Sequence, residues 1–258
     1  MSKENPADIG GIVIHDLPPE HPLRQKVDNA LDAMREFDQK GKYLTDRRAT
    51  EYVSHLLGVE YMFAQLSFLS GPPVLLDVGA GKTYGAYGLS ELAATYGLDM
   101  QATVLTPVED EKERLSNDKV HVTSIEYLDG FGKESVRGVL SLASITYSAV
   151  PELAISRIDQ VLVRGGILKA AFAFTETAFS GPGKYIKTKT PFVKVLNELG
   201  YDIGEKASEQ FDVVLAIKPG EKVLKSAQEL LACDANDYLD QIHDLVYKLT
   251  RRAPIFRF

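Results

Sequence analysis

Five residues, Asp77-Val78-Gly79-Ala80-Gly81, have the types and spacing to hold a nucleotide-like ligand. They close a short apolar run, Val74-Leu75-Leu76, introduced by Gly71-Pro72-Pro73, that reads as a buried parallel strand. Glycine at 79 and 81 lets the chain turn sharply and lets a ligand approach the main chain. Leu89, Leu92 and Ala93 follow at helical spacing across residues 84–96, so the loop feeds a helix N-terminus whose N–H groups point toward the ligand. Gly81-Lys82-Thr83 looks like the end of a triphosphate-binding loop, but that loop needs a glycine five residues before Gly81, where Leu76 stands. A dinucleotide fingerprint needs a glycine three residues after Gly81, and Tyr84 stands there. The carboxylate at 77 suits a ligand with a cationic amino-acid end and would repel a pyrophosphate. A purely structural strand-to-helix turn can carry the same residues, so the motif alone leaves that alternative open.

No catalytic base declares itself. The histidines, His15, His21, His55, His121 and His243, are scattered with no metal-ligand spacing, and no metal site is expected. The single cysteine, Cys233, excludes an internal disulfide and sits in a helical pattern as a small packing residue. A net charge of −7 argues against a polyanion-binding surface, so nucleic acid is not an expected partner. The first residues lack the apolar core of a signal peptide, and no run approaches a membrane span, which makes a cytoplasmic protein the expectation. At 258 residues, 45% hydrophobic and 25% charged, the chain can bury the core of one large α/β domain with helical additions.

The elements that must position the loop alternate along the chain. After the strand at 74–78 and the helix at 84–96, strands are expected at 101–105, 120–123, 136–142, 167–174, 201–203 and 211–217. Between them fall a charged helical turn at 109–115, a helix at 151–162 broken by Gly165-Gly166, and a helix at 191–199 stopped by Gly200. This alternation predicts an α/β fold: a doubly wound, seven-stranded, mostly parallel sheet that binds ligands at the carboxyl ends of its strands.

Four segments resemble, in order, the signatures of the class I S-adenosylmethionine-dependent methyltransferases. Asp77-Val78-Gly79-Ala80-Gly81 fits that family's Asp-x-Gly-x-Gly without adjustment. Val161-Leu162-Val163-Arg164-Gly165-Gly166-Ile167-Leu168 resembles the turn before its fifth strand. Leu196-Asn197-Glu198-Leu199-Gly200-Tyr201 resembles its late helix, and Phe211-Asp212-Val213-Val214-Leu215-Ala216-Ile217-Lys218-Pro219 its terminal strand. The resemblance implies S-adenosylmethionine as cofactor and S-adenosylhomocysteine as product. It sets Gly79, Ala80 and Gly81 against the methionine portion and Asp77 near its ammonium. The family's ribose-binding acid at the end of the second strand is missing from Val104-Leu105-Thr106-Pro107. Thr106 could supply one hydrogen bond there, or cap the next helix, and Glu109 or Asp110 could reach back. Glu126 is the candidate reader of the adenine amino group, with an exposed loop glutamate as the alternative. Ser141 belongs to a run of small residues, Ser141-Leu142-Ala143-Ser144, that would let the methyl donor pass close, with Tyr147 as a wall of the acceptor site.

Three regions are expected: a helical cap over 1–70, the donor-binding domain over 71–219 and a helical extension over 220–258. The cap has Val27, Leu31, Met34 and Phe37 at amphipathic spacing, then a second helix over 45–57 stopped by Gly58. Its aromatics Tyr43, Tyr52, Tyr61, Phe63 and Phe68 either line an acceptor pocket or form the cap's own core. The glycine- and lysine-rich stretch 180–194 would hang over the site. Tyr238, Leu239, Ile242, Leu245, Val246 and Leu249 make an apolar face suited to the core or to a second copy, so a homodimer through the helical extensions is one expected assembly. The function expected is methyl transfer to a small-molecule acceptor. The alternative is a degenerate member of the family acting as a regulatory or assembly module.

Overall fold

A computed structural model of the chain describes residues 14–39, 59–107, 115–173, 189–207, 211–220 and 224–236. Seven strands form one sheet: β1 (Val74–Asp77), β2 (Asp99–Val104), β3 (Val120–Val122), β4 (Val136–Leu142), β5 (Leu162–Ala173), β6 (Asp202–Ala207) and β7 (Phe211–Ile217). Their order is β3-β2-β1-β4-β5-β7-β6. The first five run parallel, and β7 is antiparallel to both β5 and β6. Among the described residues the α-helices are α1 (Pro22–Gln39), α2 (Val59–Ser67), α3 (Tyr84–Thr95), α4 (Pro151–Val161), α5 (Thr190–Glu198) and α6 (Ala227–Asn236).

Alternation along β1 sends Leu75 to one face and Leu76 to the other, and each face has its own core. On the first, Met62 and Phe63 of α2, Leu89 of α3 and Leu230 of α6 pack with Leu75, Leu140 and Leu215. On the second, Ile155 and Ile158 of α4 and Phe192 and Leu196 of α5 pack with Leu76, Val139 and Leu168. A third cluster joins Val27, Leu31 and Met34 of α1 to Tyr147, Val150 and Leu153 beyond β4, so the amphipathic stripe of α1 closes over the segment that follows that strand.

One expectation needs correction. Gly165-Gly166 does not end a helix. The helix stops at Val161 and β5 begins at once, with Val136 paired to Leu162 and Gly138 to Ile167. Five steps along β5 thus oppose two along β4. The excess is taken up at Gly165, whose φ is +75°, and Gly166 leaves no room for a side chain against the carbonyls of Val163 and Arg137. A further helix, α2, follows Gly58, and its Val59, Met62, Phe63 and Leu66 bury one face against the sheet. Phe63 is therefore core, whereas Phe68 is exposed. Residues 190–194 of the expected loop lie in α5. The expected elements at 45–57 and 109–115, the loop at 180–188, the apolar face over 238–249 and the ending 251–258 fall outside the described residues, as do Tyr43, Tyr52, His55 and His243.

Candidate functional site

At the carboxyl end of β1 the chain turns through Val78 to Thr83 into α3. The turn is bonded to both neighbouring strands. The Val78 N–H donates to the Leu140 carbonyl of β4, and the Ala80 N–H to the Thr103 carbonyl of β2, each at 2.9 Å. The Gly79 N–H donates to the Thr103 hydroxyl at 3.0 Å. Gly79 and Gly81 have φ of +68° and +57°, the left-handed region that glycine enters without strain. At Gly79 a side chain is excluded by the protein itself: an added Cβ would lie 2.4 Å from the Ser144 Cβ. The glycine is thus required first by packing, in addition to any approach of a ligand to its exposed side.

Ser144 belongs to the turn after β4, which forms the other half of the site. Its hydroxyl donates to the Val78 carbonyl in a short bond. It also shares a 2.7 Å bond with the Ser141 hydroxyl, which accepts the Ile145 N–H at 3.0 Å. Ala143 is held at φ +62° by bonds from its N–H to the Ala171 carbonyl (2.9 Å) and from the Thr146 hydroxyl to its own carbonyl (2.6 Å). A non-glycine residue in this conformation persists only where its surroundings over-determine it, and such positions gather at functional sites. Ser141, expected near the donor, is fully buried and acts as the brace between the two turns.

Asp77 is fully buried at the end of β1. It pairs in register with Leu140, and Leu140 with Lys169 of β5, so the carboxylate and a fully buried lysine share one row on one side of the sheet. A buried carboxylate is costly unless charge or hydrogen bonds compensate it, and Lys169 brings a cation to that row.

Glu126, in the turn after β3, is 2% exposed and so is not an exposed loop glutamate. Its Oε1 accepts the Ser148 hydroxyl at 2.8 Å and the Ala149 N–H at 3.1 Å, which ties the turn after β3 to the turn after β4. Burial pushes its carboxyl above the ordinary range, opposed by those hydrogen bonds. Leu128 in the same turn has φ +45°, and Arg157 clasps the turn by donating to the carbonyls of Tyr127, Leu128 and Phe131. Thr106 is half-buried just past β2. Glu109 and Asp110 lie outside the described residues.

The described histidines have local duties. His21 accepts the Leu23 N–H at the start of α1. His121 bonds to Gln101 and packs on Phe131, and burial lowers its pKa. His15 makes a short bond to Asp129 and packs on Tyr127, whose hydroxyl donates to Asp28 in another short bond. Together these fasten the N-terminal segment to the turn after β3.

Three residues that position the loop are silent in the sequence motif: Thr103, Ser144 and Thr83. A hydroxyl inside the apolar strand β2 was the one available sign of Thr103. Thr83 has φ +64°, is fully buried, and its hydroxyl has no hydrogen-bond partner. Each of these departures costs about 1–3 kcal/mol.

Residues 76–170 match the family described as a methyltransferase domain. No curated protein sequence matches the chain. Among solved structures, the Burkholderia thailandensis 1,6-didemethyltoxoflavin-N1-methyltransferase, with bound 1,6-didemethyltoxoflavin and S-adenosylhomocysteine, is similar at 16% identity and a TM-score of 0.49, over 80% of this chain and 93% of that one. Phosphoethanolamine N-methyltransferase 1 of Haemonchus contortus, in complex with phosphoethanolamine and S-adenosylhomocysteine, is similar at 15% identity and a TM-score of 0.49, over 86% of this chain and 56% of that one. A SAM-dependent methyltransferase from Aquifex aeolicus is similar at 14% identity and a TM-score of 0.43, over 83% and 99%. Likenesses of this size say nothing of this chain's acceptor.

Proposed function

We propose that this chain is a class I S-adenosylmethionine-dependent methyltransferase and transfers the donor's methyl group to a small-molecule acceptor, a reading supported by the match of residues 76–170 to a methyltransferase domain. The observation that carries the donor assignment is the turn after β1. It joins a fully buried carboxylate, two left-handed glycines and the start of α3 within a span that lies inside the family match. The donor set fits the cofactor. Asp77 suits the ammonium of an amino-acid end, while helix-opening N–H groups suit its carboxylate. The first hydrogen bond of α3 runs from the Tyr87 N–H to the Thr83 carbonyl at 2.8 Å, so the N–H groups of Gly85 and Ala86 have no acceptor within the helix. Gly79, Ala80 and Gly81 would lie along the methionine portion, with Thr106 toward the ribose, Glu126 toward the adenine and Ser141 behind the turn that faces the sulfur.

When bound, the cofactor supplies an electrophilic methyl group on a positively charged sulfur. The chain's contribution is to hold and shield. Thr103 and Ser144 fix the glycine turn from its two sides, and the turn after β4 is stiffened by the Ser141–Ser144 bond. Fixed geometry of this kind turns a bimolecular encounter into a near-unimolecular one, with effective molarities of about 10⁵ M or more in favourable cases. For an acceptor that is already deprotonated, positioning of this kind can supply much of the acceleration without a dedicated base. The small-molecule acceptor is supported by the packing of α1 on Tyr147, Val150 and Leu153, which closes the side of the site beyond β4, and by the net charge of −7. Among the described residues no helix is long and apolar enough to cross a membrane.

Calorimetric titration with S-adenosylhomocysteine tests the donor half. Binding with a Kd in the micromolar range is expected, and no binding at millimolar ligand refutes the assignment. Turnover over a panel of small oxygen, nitrogen and carbon nucleophiles, read as S-adenosylhomocysteine release, tests the acceptor half. Release that occurs only with a protein or nucleic-acid acceptor overturns it.

A further inference from the structure

In a doubly wound sheet the ribose of a nucleoside ligand lies near the carboxyl end of the second strand, where an acidic side chain accepts hydrogen bonds from its hydroxyls. In this chain that end is spent on the fold. β2 runs out through Val104 into Leu105-Thr106-Pro107. Val104 is buried, and its carbonyl accepts the Thr123 N–H at 2.9 Å. Leu105 packs on the apolar cluster that Val27, Leu31 and Met34 of α1 form with Tyr147 and Val150. Thr103, at the next-to-last position of the strand, accepts the Gly79 N–H with its hydroxyl. The described acids of β2 and of the turn after β3 are committed too. Asp99 stands at the opposite end of β2 and accepts from Lys119 at 2.6 Å. Glu126 takes the Ser148 hydroxyl and the Ala149 N–H on one oxygen, and Asp129 bonds to His15 and Thr123.

The contact at Leu105 gives the physical reason. The cluster it joins is hydrophobic and holds no cation, so a carboxylate at 105 would be desolvated there without compensation. Packing of α1 across the end of β2 and a charged ribose reader at 105 therefore exclude each other, and this chain has taken the packing. The N-terminal segment is also fastened beyond β3, where His15 bonds to Asp129 and the Tyr127 hydroxyl donates to Asp28. Resting on the donor reading above, we infer that the site binds the donor's nucleoside without a charged acceptor for its ribose hydroxyls. It takes sulfonium nucleosides that lack one ribose hydroxyl, and their thioether products, about as well as those that keep both. The feature that sets this tolerance is the contact of Leu105 with the N-terminal segment.

The test titrates the wild-type chain with S-adenosylhomocysteine and with its 2′-deoxy and 3′-deoxy counterparts. A site that holds the ribose on a carboxylate loses about ten- to a hundredfold in affinity when a hydroxyl is removed, the effect of losing a hydrogen bond to a charged group. Here each deoxy ligand should bind within about fivefold of S-adenosylhomocysteine. A larger loss for either one overturns the inference and leaves the donor reading intact, because the chain would then bind the cofactor through an acceptor elsewhere. A chain that binds none of the three ligands removes the donor reading itself. The packing premise is tested separately by Leu105→Asp. Hydrogen exchange should show protection lost in α1, with β5 and β7 unchanged. Should that variant not fold, Leu105→Asn carries the same comparison. Wild-type protection of α1 in the polar variant overturns the premise that a polar reader and the packing of α1 exclude each other at this position.

Discussion

Gly79→Ala perturbs the contact between the two turns of the site, and the structure fixes both parts of its cost. Alanine at φ +68° is held in the left-handed region, at about 1–2 kcal/mol. Its Cβ would stand 2.4 Å from the Ser144 Cβ and 3.0 Å from its Oγ, well inside ordinary contact. Ser144 cannot swing aside, because its hydroxyl is bonded to the Val78 carbonyl and to Ser141. The clash must move backbone, for about another 1–3 kcal/mol. For a chain of this size the sum of about 2–5 kcal/mol lowers the melting temperature by roughly 5–15 °C. Thermal unfolding followed by circular dichroism reads the first quantity, and S-adenosylhomocysteine titration should show the variant binding at least tenfold more weakly. Adding Ser144→Gly removes the opposing Cβ and leaves the backbone term. The double variant should therefore be more stable than the two single effects added together, by about 1–3 kcal/mol. A Gly79→Ala protein that melts within about 1 °C of wild type, or a cycle with no coupling, would show that the turns do not press on one another here.

Thr103→Val strips the Gly79 N–H of its acceptor and should cost about 1–3 kcal/mol in denaturant unfolding, whereas Thr103→Ser should recover most of it. Glu126 predicts a pH dependence of known sign: its folded pKa lies above the ordinary 4.5, so the folded state holds the proton longer. Its contribution to stability is greatest below the unfolded value and declines as pH rises from about 4.5 toward the raised folded value. Glu126→Gln keeps the acceptor for Ser148 and Ala149, and its stability measured by urea titration across that window should fall less steeply with pH than wild type's; an identical slope would refute the assignment. Gly204→Ala would place a Cβ 2.7 Å from main-chain atoms of Ala227, so α6 must shift off β6. Hydrogen exchange should then show protection lost in α6 and β6 first, with little change at β1 and β4.

The sheet was legible because buried parallel strands and the helices between them leave coarse, repeated signals. Val74-Leu75-Leu76, the run at 136–142 and the run at 211–217 each sit where the spacing predicts. Boundaries were less legible where a local sign competes with pairing. Gly165-Gly166 reads as a helix stop, and only the offset of β5 against β4 reveals a bulge. The turn after β1 was legible where identity and spacing set the backbone, as in Gly79 and Gly81, both of which have positive φ. The site was opaque where a residue's duty is set by a neighbour far away in the chain. Glu126 reads either as a reader of the adenine amino group or as an exposed loop glutamate, and only the fold brings Ser148 and Ala149 against it; Ser141 reads as a small residue beside a ligand, and only the fold gives its hydroxyl to Ser144.

By itself the sequence determined the class of fold and singled out the glycine turn after the first strand, because these depend on periodicity and on a motif whose parts lie within five residues. The tertiary structure alone decided why Gly79 must be glycine, which hydroxyls hold its turn, and that Thr83 keeps a buried donor in a strained conformation. Those properties arise from contacts between β1, β2 and β4 and from a backbone angle, neither of which has any imprint on local residue patterns.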